Sequence, residues 1–154
     1  MSDEDIKIHR GLNNVYFDRT KTTYINGKEG VLEYRGYNIH DLSEKSSFEE
    51  VSYLLLYGKL PTKNELDSFN KSLKESREIP SKVIDIIRSI KESHPMDVLR
   101  TAVSALSAFD EEASDKSYDA TMRKGIRLTS QVPTIVMAHN AIRAGKDPIQ
   151  PSKE

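Results

Sequence analysis

The sequence predicts a mainly α, multi-helical protein with a small amino-terminal β element, and three observations lead there. From about residue 38 to 145 the apolar residues recur at spacings of three and four, the period of a half-buried helix. Helix starts are labelled chemically: Ser47 with Glu50 and Thr62 with Glu65 are capping-box pairs, and Pro95 follows His94 at a first-turn position where a missing N–H costs nothing. Alternation at period two is confined to about residues 15–35, too little sheet to stand without helices against it. The 154 residues amount to one ordinary domain or less.

Met1 to Arg10 is polar, with only Ile6 and Ile8 to bury, and reads as a flexible arm over residues 1–10. Val15 and Phe17, then Thr22 and Tyr24, then Val31 and Glu33 alternate as short strands, and Asn26-Gly27 supplies two residues that accept positive φ for a hairpin turn. Tyr34-Arg35-Gly36-Tyr37 reads as a bend from strand into helix, with Gly36 permitting the bend; its alternative use is a guanidinium grip on a carboxylate. Val51, Leu54, Leu55 and Leu56 form an apolar helix ended by Gly58, and Leu60-Pro61 forces an extended residue before the next.

Leu66, Phe69 and Leu73 define the buried side of that next helix, which frays near Arg77. Pro80 or Ser81 opens another, with Val83, Ile84, Ile87 and Ile90 inward; its β-branched residues lower intrinsic propensity, so packing must hold it. The following helix presents Met96, Leu99, Val103 and Leu106 as its apolar stripe and ends around Phe109, before a polar loop from Asp110 to Ser117. The last helical segment runs from about Tyr118 to Ala144 before Gly145, striped by Met122, Ile126, Val132, Ile135, Val136 and Ile142, with a kink expected between Thr129 and Pro133. Residues 11–145 thus form the folded portion, and 146–154, with Pro148 and Pro151, reads as a connector toward a further portion.

Acidic and basic residues nearly cancel to a net charge of -1, so no nucleic-acid or phospholipid surface is indicated. Lys71, Lys74 and Arg77 gather where a helix ends; they suit its negative pole, the other use being an anion site. The absence of cysteine excludes disulfides, thiolate nucleophiles and cysteine-ligated metals, and fits a reducing interior. Met1 to Arg10 has no apolar core of a secretory signal and no stretch reaches membrane length, so a cytoplasmic location is the expectation.

His9, His40, His94 and His139 are far apart and none is spaced for a helical metal pair. His94 reads as a flank to its helix start and His139 as a surface or interface residue. His40-Asp41 resembles a base with its orienter, but neighbours on a helix point about 100° apart and do not face each other. No serine lies in a Gly-x-Ser-x-Gly elbow, and Gly27-Lys28-Glu29-Gly30 lacks phosphate-loop spacing. The residues show no complete catalytic site, and no catalytic, cofactor-binding or metal residue is assigned.

Taken in order, Tyr34-Arg35-Gly36-Tyr37, Phe48-Glu49-Glu50-Val51, Leu54 to Thr62, His94 to Leu106 and Gln131 to Val136 form a series that resembles the amino-terminal part of citrate synthase, a pattern shared by 2-methylcitrate synthases. The resemblance runs from about Gly11 to Pro151. It implies a piece of the large helical domain of an enzyme that condenses acetyl-CoA with oxaloacetate to citrate, with acetyl-CoA as substrate and no resident cofactor. That chemistry needs a carboxylate base at the acetyl carbon and donors to the developing enolate, which in the family come from two histidines and an aspartate on motifs this sequence does not contain. The isolated chain is therefore expected to be inactive and to need a carboxy-terminal portion as partner.

The same resemblance implies a homo-dimer or hetero-oligomer interface on the last two helices, at Met96, Leu99, Arg100, Val103, Leu106, Ile126, Val132 and Val136. Gln131 stands where a second basic residue beside Arg127 would serve a nucleotide site, so NADH control is not expected. The alternative reading is a non-catalytic helical interaction or assembly module that keeps the family scaffold.

Overall fold

A computed structural model of the chain describes residues 10–12, 15–16 and 18–152. The expected arm, His9 and the strand position of Phe17 lie outside them, and Val15 is not in a strand. A 3-10 turn at Arg10–Leu12 precedes β1 (Thr23–Asn26), β2 (Val31–Tyr34) and β3 (Tyr37–Asn38), an antiparallel meander in the order β1-β2-β3. Six helices follow: α1 (Ile39–Lys45), α2 (Phe48–Tyr57), α3 (Lys63–Glu75), α4 (Ser81–Ser89), α5 (Pro95–Leu106) and α6 (Tyr118–Arg143). The architecture is mainly α with a small sheet.

The expected β1–β2 hairpin forms with a longer connection, and the expected strand-to-helix bend is a second hairpin. Asn26 faces Val31 as the last β1 pair, and its side chain accepts from the N–H groups of Lys28 and Glu29 at 3.2 and 3.3 Å. Bonded in that way, Asn26 closes a four-residue connection whose left-handed residue is Gly30, at φ 68, instead of Asn26 or Gly27. The tight turn is Arg35-Gly36, where both φ values are positive, 51 and 87, between the paired Tyr34 and Tyr37. This is the two-residue geometry that matches strand twist, and glycine at its second position avoids a Cβ clash. The expected strand-to-helix bend is thus a hairpin into β3.

Helix starts follow the local chemistry. Both capping boxes form, Ser47 with Glu50 and Thr62 with Glu65, each supplying about 1 kcal/mol. His94 caps α5 by accepting the Met96 N–H at Nδ1, 3.2 Å away, with Pro95 in the first turn. Gly58 ends α2 at φ 81. α6 carries Pro133 without interruption.

The main core is a layer of α4, α5 and α6: Ile79, Val83 and Ile87 meet Val98, Ala102 and Leu106, and Ile135, Ala138 and Ile142 close it. A smaller cluster joins Tyr53 of α2 to Phe69 and Leu73 of α3, Tyr53 and Phe69 meeting edge to face at 5.4 Å between centroids. The inward stripe of α5 departs from the sequence expectation. Val98, Ala102 and Leu106 are buried, Leu99 and Val103 are half-buried beside them, and Met96 is 62% exposed.

Candidate assembly surface

α5 and α6 carry the eight residues expected at an interface, and packing sorts them. Met96, Arg100 and Val136 are exposed, with Arg100 paired to Asp97 at 3.0 Å one turn earlier. Leu99, Val103 and Val132 are half-buried. Leu106 and Ile126 point inward: Leu106 belongs to the main core, and Ile126 packs against the Tyr53, Phe69 and Leu73 cluster. The apolar outer strip therefore consists of the exposed Met96 and Val136 with the half-buried Leu99, Val103 and Val132, of which Leu99 and Val103 also pack against the main core.

Beside this strip, the loop from Asp110 to Ser117 is fastened to α6 by charge. Arg127 donates to both Asp110 oxygens at 2.9 and 2.8 Å and to Glu112 Oε2 at 2.8 Å, and Arg123 pairs with Glu112 Oε1. Lys124 donates to the Glu112 and Asp115 carbonyls. Arg123 and Arg127 lie one helical turn apart, so one face of α6 presents both guanidiniums to one loop. Their hydrogen bonds hold the Glu112 carboxyl down at about 2, and the Arg127 bond lowers Asp110. By itself the loop reads only as polar in the sequence; the i, i+4 arginines of the next helix beside an acid-rich loop are the signal of the fastening. A cleft of 500 Å³ between Val103, Phe109, Leu128 and Gln131 sits beside the fastening.

The histidines do not converge. His40 is exposed next to an Asp41 that pairs with Lys45 at 2.7 Å, and His94 is engaged as a cap. His139 corrects the expectation of a surface residue: it is buried, and its Nε2 lies 3.0 Å from the Lys91 carbonyl, which can only accept. Among the described residues no three His, Cys, Asp or Glu side chains come together as a metal site, and no helix is long and apolar enough to cross a membrane. Arg35 pairs with no carboxylate among the described residues; its Nη2 donates to the Leu55 carbonyl at 2.9 Å and ties the sheet to α2. Of the Lys71, Lys74 and Arg77 group, Lys74 lies in the last turn of α3 and Arg77 donates to the Ser152 carbonyl at 2.9 Å.

Two buried polar atoms in one further cleft have no partner, Asn70 Oδ1 of α3 and Ser130 Oγ of α6. Such orphans cost about 1–3 kcal/mol each when nothing satisfies them. Neither was marked in the sequence, where a polar residue on a helix looks like solvated surface.

A family model described as citrate synthase, C-terminal domain, matches residues 11–154. The citrate synthase of Deinococcus radiodurans is 43% identical over 145 residues, which are 94% of this chain and 38% of that protein. The crystal structure of citrate synthase from Pyrobaculum aerophilum matches with a TM-score of 0.89 at 35% identity, covering 95% of this chain and 39% of that one. The citrate synthase of Thermoplasma acidophilum, solved as a ternary complex with carboxymethyl coenzyme A and oxaloacetate, matches with a TM-score of 0.80 at 28% identity, with the same coverage of 95% and 39%. The chain thus spans 38–39% of the length of these relatives, and it belongs to the citrate synthase family.

Proposed function

We propose that the chain is the amino-terminal portion of a cytoplasmic citrate synthase, an acyltransferase that condenses acetyl-CoA with oxaloacetate to citrate at the entrance of the tricarboxylic acid cycle. It supplies scaffold and interface helices, and a carboxy-terminal portion supplies the catalytic groups. The observation that carries this reading is the match in coverage: 94–95% of the chain corresponds to only 38–39% of the relatives. The outer strip of Met96, Leu99, Val103, Val132 and Val136 is the surface for a second copy, because an apolar strip across two adjacent helices loses solvent contact only against a partner.

The test measures thiol release from acetyl-CoA in the presence of oxaloacetate, first for this chain alone and then for a chimera in which it replaces the corresponding stretch of the Deinococcus radiodurans enzyme. The expected outcome is no activity alone and citrate formation by the chimera. Citrate made by the chain alone defeats the proposal, and a well-folded but inactive chimera favours the assembly-module reading instead.

A further inference from the structure

The β1–β2 connection brings an asparagine side chain, a glycine nitrogen and two backbone donors together. Asn26 ends β1 and is half-buried, while Gly27, Lys28 and Glu29 are exposed. Asn26 Oδ1 accepts from the N–H groups of both Lys28 and Glu29, at 3.2 and 3.3 Å, and its Nδ2 donates to Glu29 Oε2 at 2.8 Å. The bond from Lys28 closes a ring around the Gly27 peptide unit, so the side-chain amide of Asn26 is folded forward along the chain toward the Gly27 nitrogen. Two donors aimed at one amide oxygen polarise its carbonyl and stabilise the negative charge that develops there when a nucleophile adds to Cγ. Gly27 has no side chain to screen its nitrogen, and the space where a Cβ would stand is open.

We propose that Asn26 is a self-modification site, at which the folded turn converts the asparagine through a cyclic succinimide to aspartate and isoaspartate. The Gly27 nitrogen gives up its proton to solvent and bonds to Asn26 Cγ. The Cγ–Nδ2 bond then breaks, and Nδ2 leaves as ammonia with a proton taken from water. Water opens the ring at either carbonyl. Breaking the new bond between the Gly27 nitrogen and Cγ leaves aspartate in an unaltered backbone, and breaking the original peptide bond leaves isoaspartate, with the main chain rerouted through the side chain. One water enters to open the ring, one ammonia leaves, and nothing is oxidised or reduced. Both products lose the Nδ2 donor and set a second carboxylate beside Glu29. Isoaspartate also adds a methylene to the main chain next to the Ile25–Leu32 pair, in a strand with no fully buried residue to hold it.

The chain, kept folded in mildly alkaline buffer and sampled over days, is digested, and isoaspartate at position 26 is measured by peptide mass spectrometry and isoaspartyl methyltransferase labelling. A synthetic peptide of residues 21–33 runs in parallel. Isoaspartate should appear in the folded chain at least as fast as in the peptide. Gly27→Ala places a Cβ in open space and at no left-handed φ, so the variant folds, yet its methyl group crowds the attacking nitrogen. Its modification should be slower on the order of ten-fold, since the rate of an intramolecular attack follows the fit of the reacting atoms. A folded chain that keeps its Asn26 amide while the peptide converts overturns the proposal, because the three hydrogen bonds then shield the side chain. An undiminished rate in Gly27→Ala overturns it as well, because water would then hydrolyse the amide without the Gly27 nitrogen.

Discussion

The helical layer and the sheet are held by different physics. In α4, α5 and α6 eight residues, joined by Ile79 just before α4, are buried in one cluster, and Val83, Ile87, Val98, Ala102 and Ile135 have no exposed surface. In β1, β2 and β3 no residue is fully buried, and the meander is held by its own ladder, a left-handed turn at Arg35-Gly36, the Arg35 bond to Leu55 and partial packing of β2 and β3 on α1. A layer stabilised by excluded water loses energy in proportion to the volume removed, whereas a sheet anchored by a few polar contacts fails locally when one is lost. Mutations should therefore separate the two regions by size of effect and by how far it spreads.

The largest effect belongs to the layer. Ile87→Ala removes a fully buried side chain and should lower stability by about 3 kcal/mol, read from urea midpoints by circular dichroism. A loss under about 1 kcal/mol would mean that the site collapses freely and the contrast with the sheet is overstated. Next comes Arg35→Met, which keeps the aliphatic stem but leaves the Leu55 carbonyl without its donor, at about 1–2 kcal/mol. Amide exchange should accelerate in β1 and β2 while α4 to α6 stay unchanged; acceleration throughout would make the sheet part of the same cooperative unit.

Ser47→Ala is smaller, about 1 kcal/mol, because it deletes one hydroxyl of a capping box on an exposed helix start. Thermal unfolding of the single variant and of Ser47→Ala combined with Glu50→Ala checks it, and equal losses in both are expected if the two side chains act as one cap. Smallest is the acid response of the loop fastening. The folded-state pKa of Glu112 lies below its ordinary 4.5, at about 2, so its contribution is present above the ordinary value and fades as pH falls toward about 2. An NMR titration of the Glu112 carboxyl should show a midpoint near that lower value, and one at 4.5 would detach the loop from Arg123 and Arg127.

Where helices begin and end was readable because those signals are local. Ser47, Thr62, His94 and Gly58 each act on backbone groups within a few residues, so no distant partner is needed to interpret them. The family was readable for a related reason, since the order of several such blocks survives in a linear text. Turn identity was harder: Asn26-Gly27 and Arg35-Gly36 both contain a residue that tolerates positive φ, and only the side-chain bonds of Asn26 to Lys28 and Glu29 diverted the first to a longer connection.

Local chemistry written along the chain set the fold class, the helix limits and the apolar character of α5 and α6. Which way those helices turn was settled only when they packed. Val98, Ala102 and Leu106 compete with Met96, Leu99 and Val103 as the inward face of α5, and the two stripes differ by about one residue, or 100°. Position relative to α4 and α6 chose between them. The burial of His139 on a carbonyl 48 residues away, the grip of Arg127 on Asp110, and the meeting of Asn70 with Ser130 in one cleft are likewise contacts between distant parts of the chain. Such contacts come into being only when the backbone closes on itself, so a local pattern such as the i, i+4 arginines supplies a candidate but does not choose its partner.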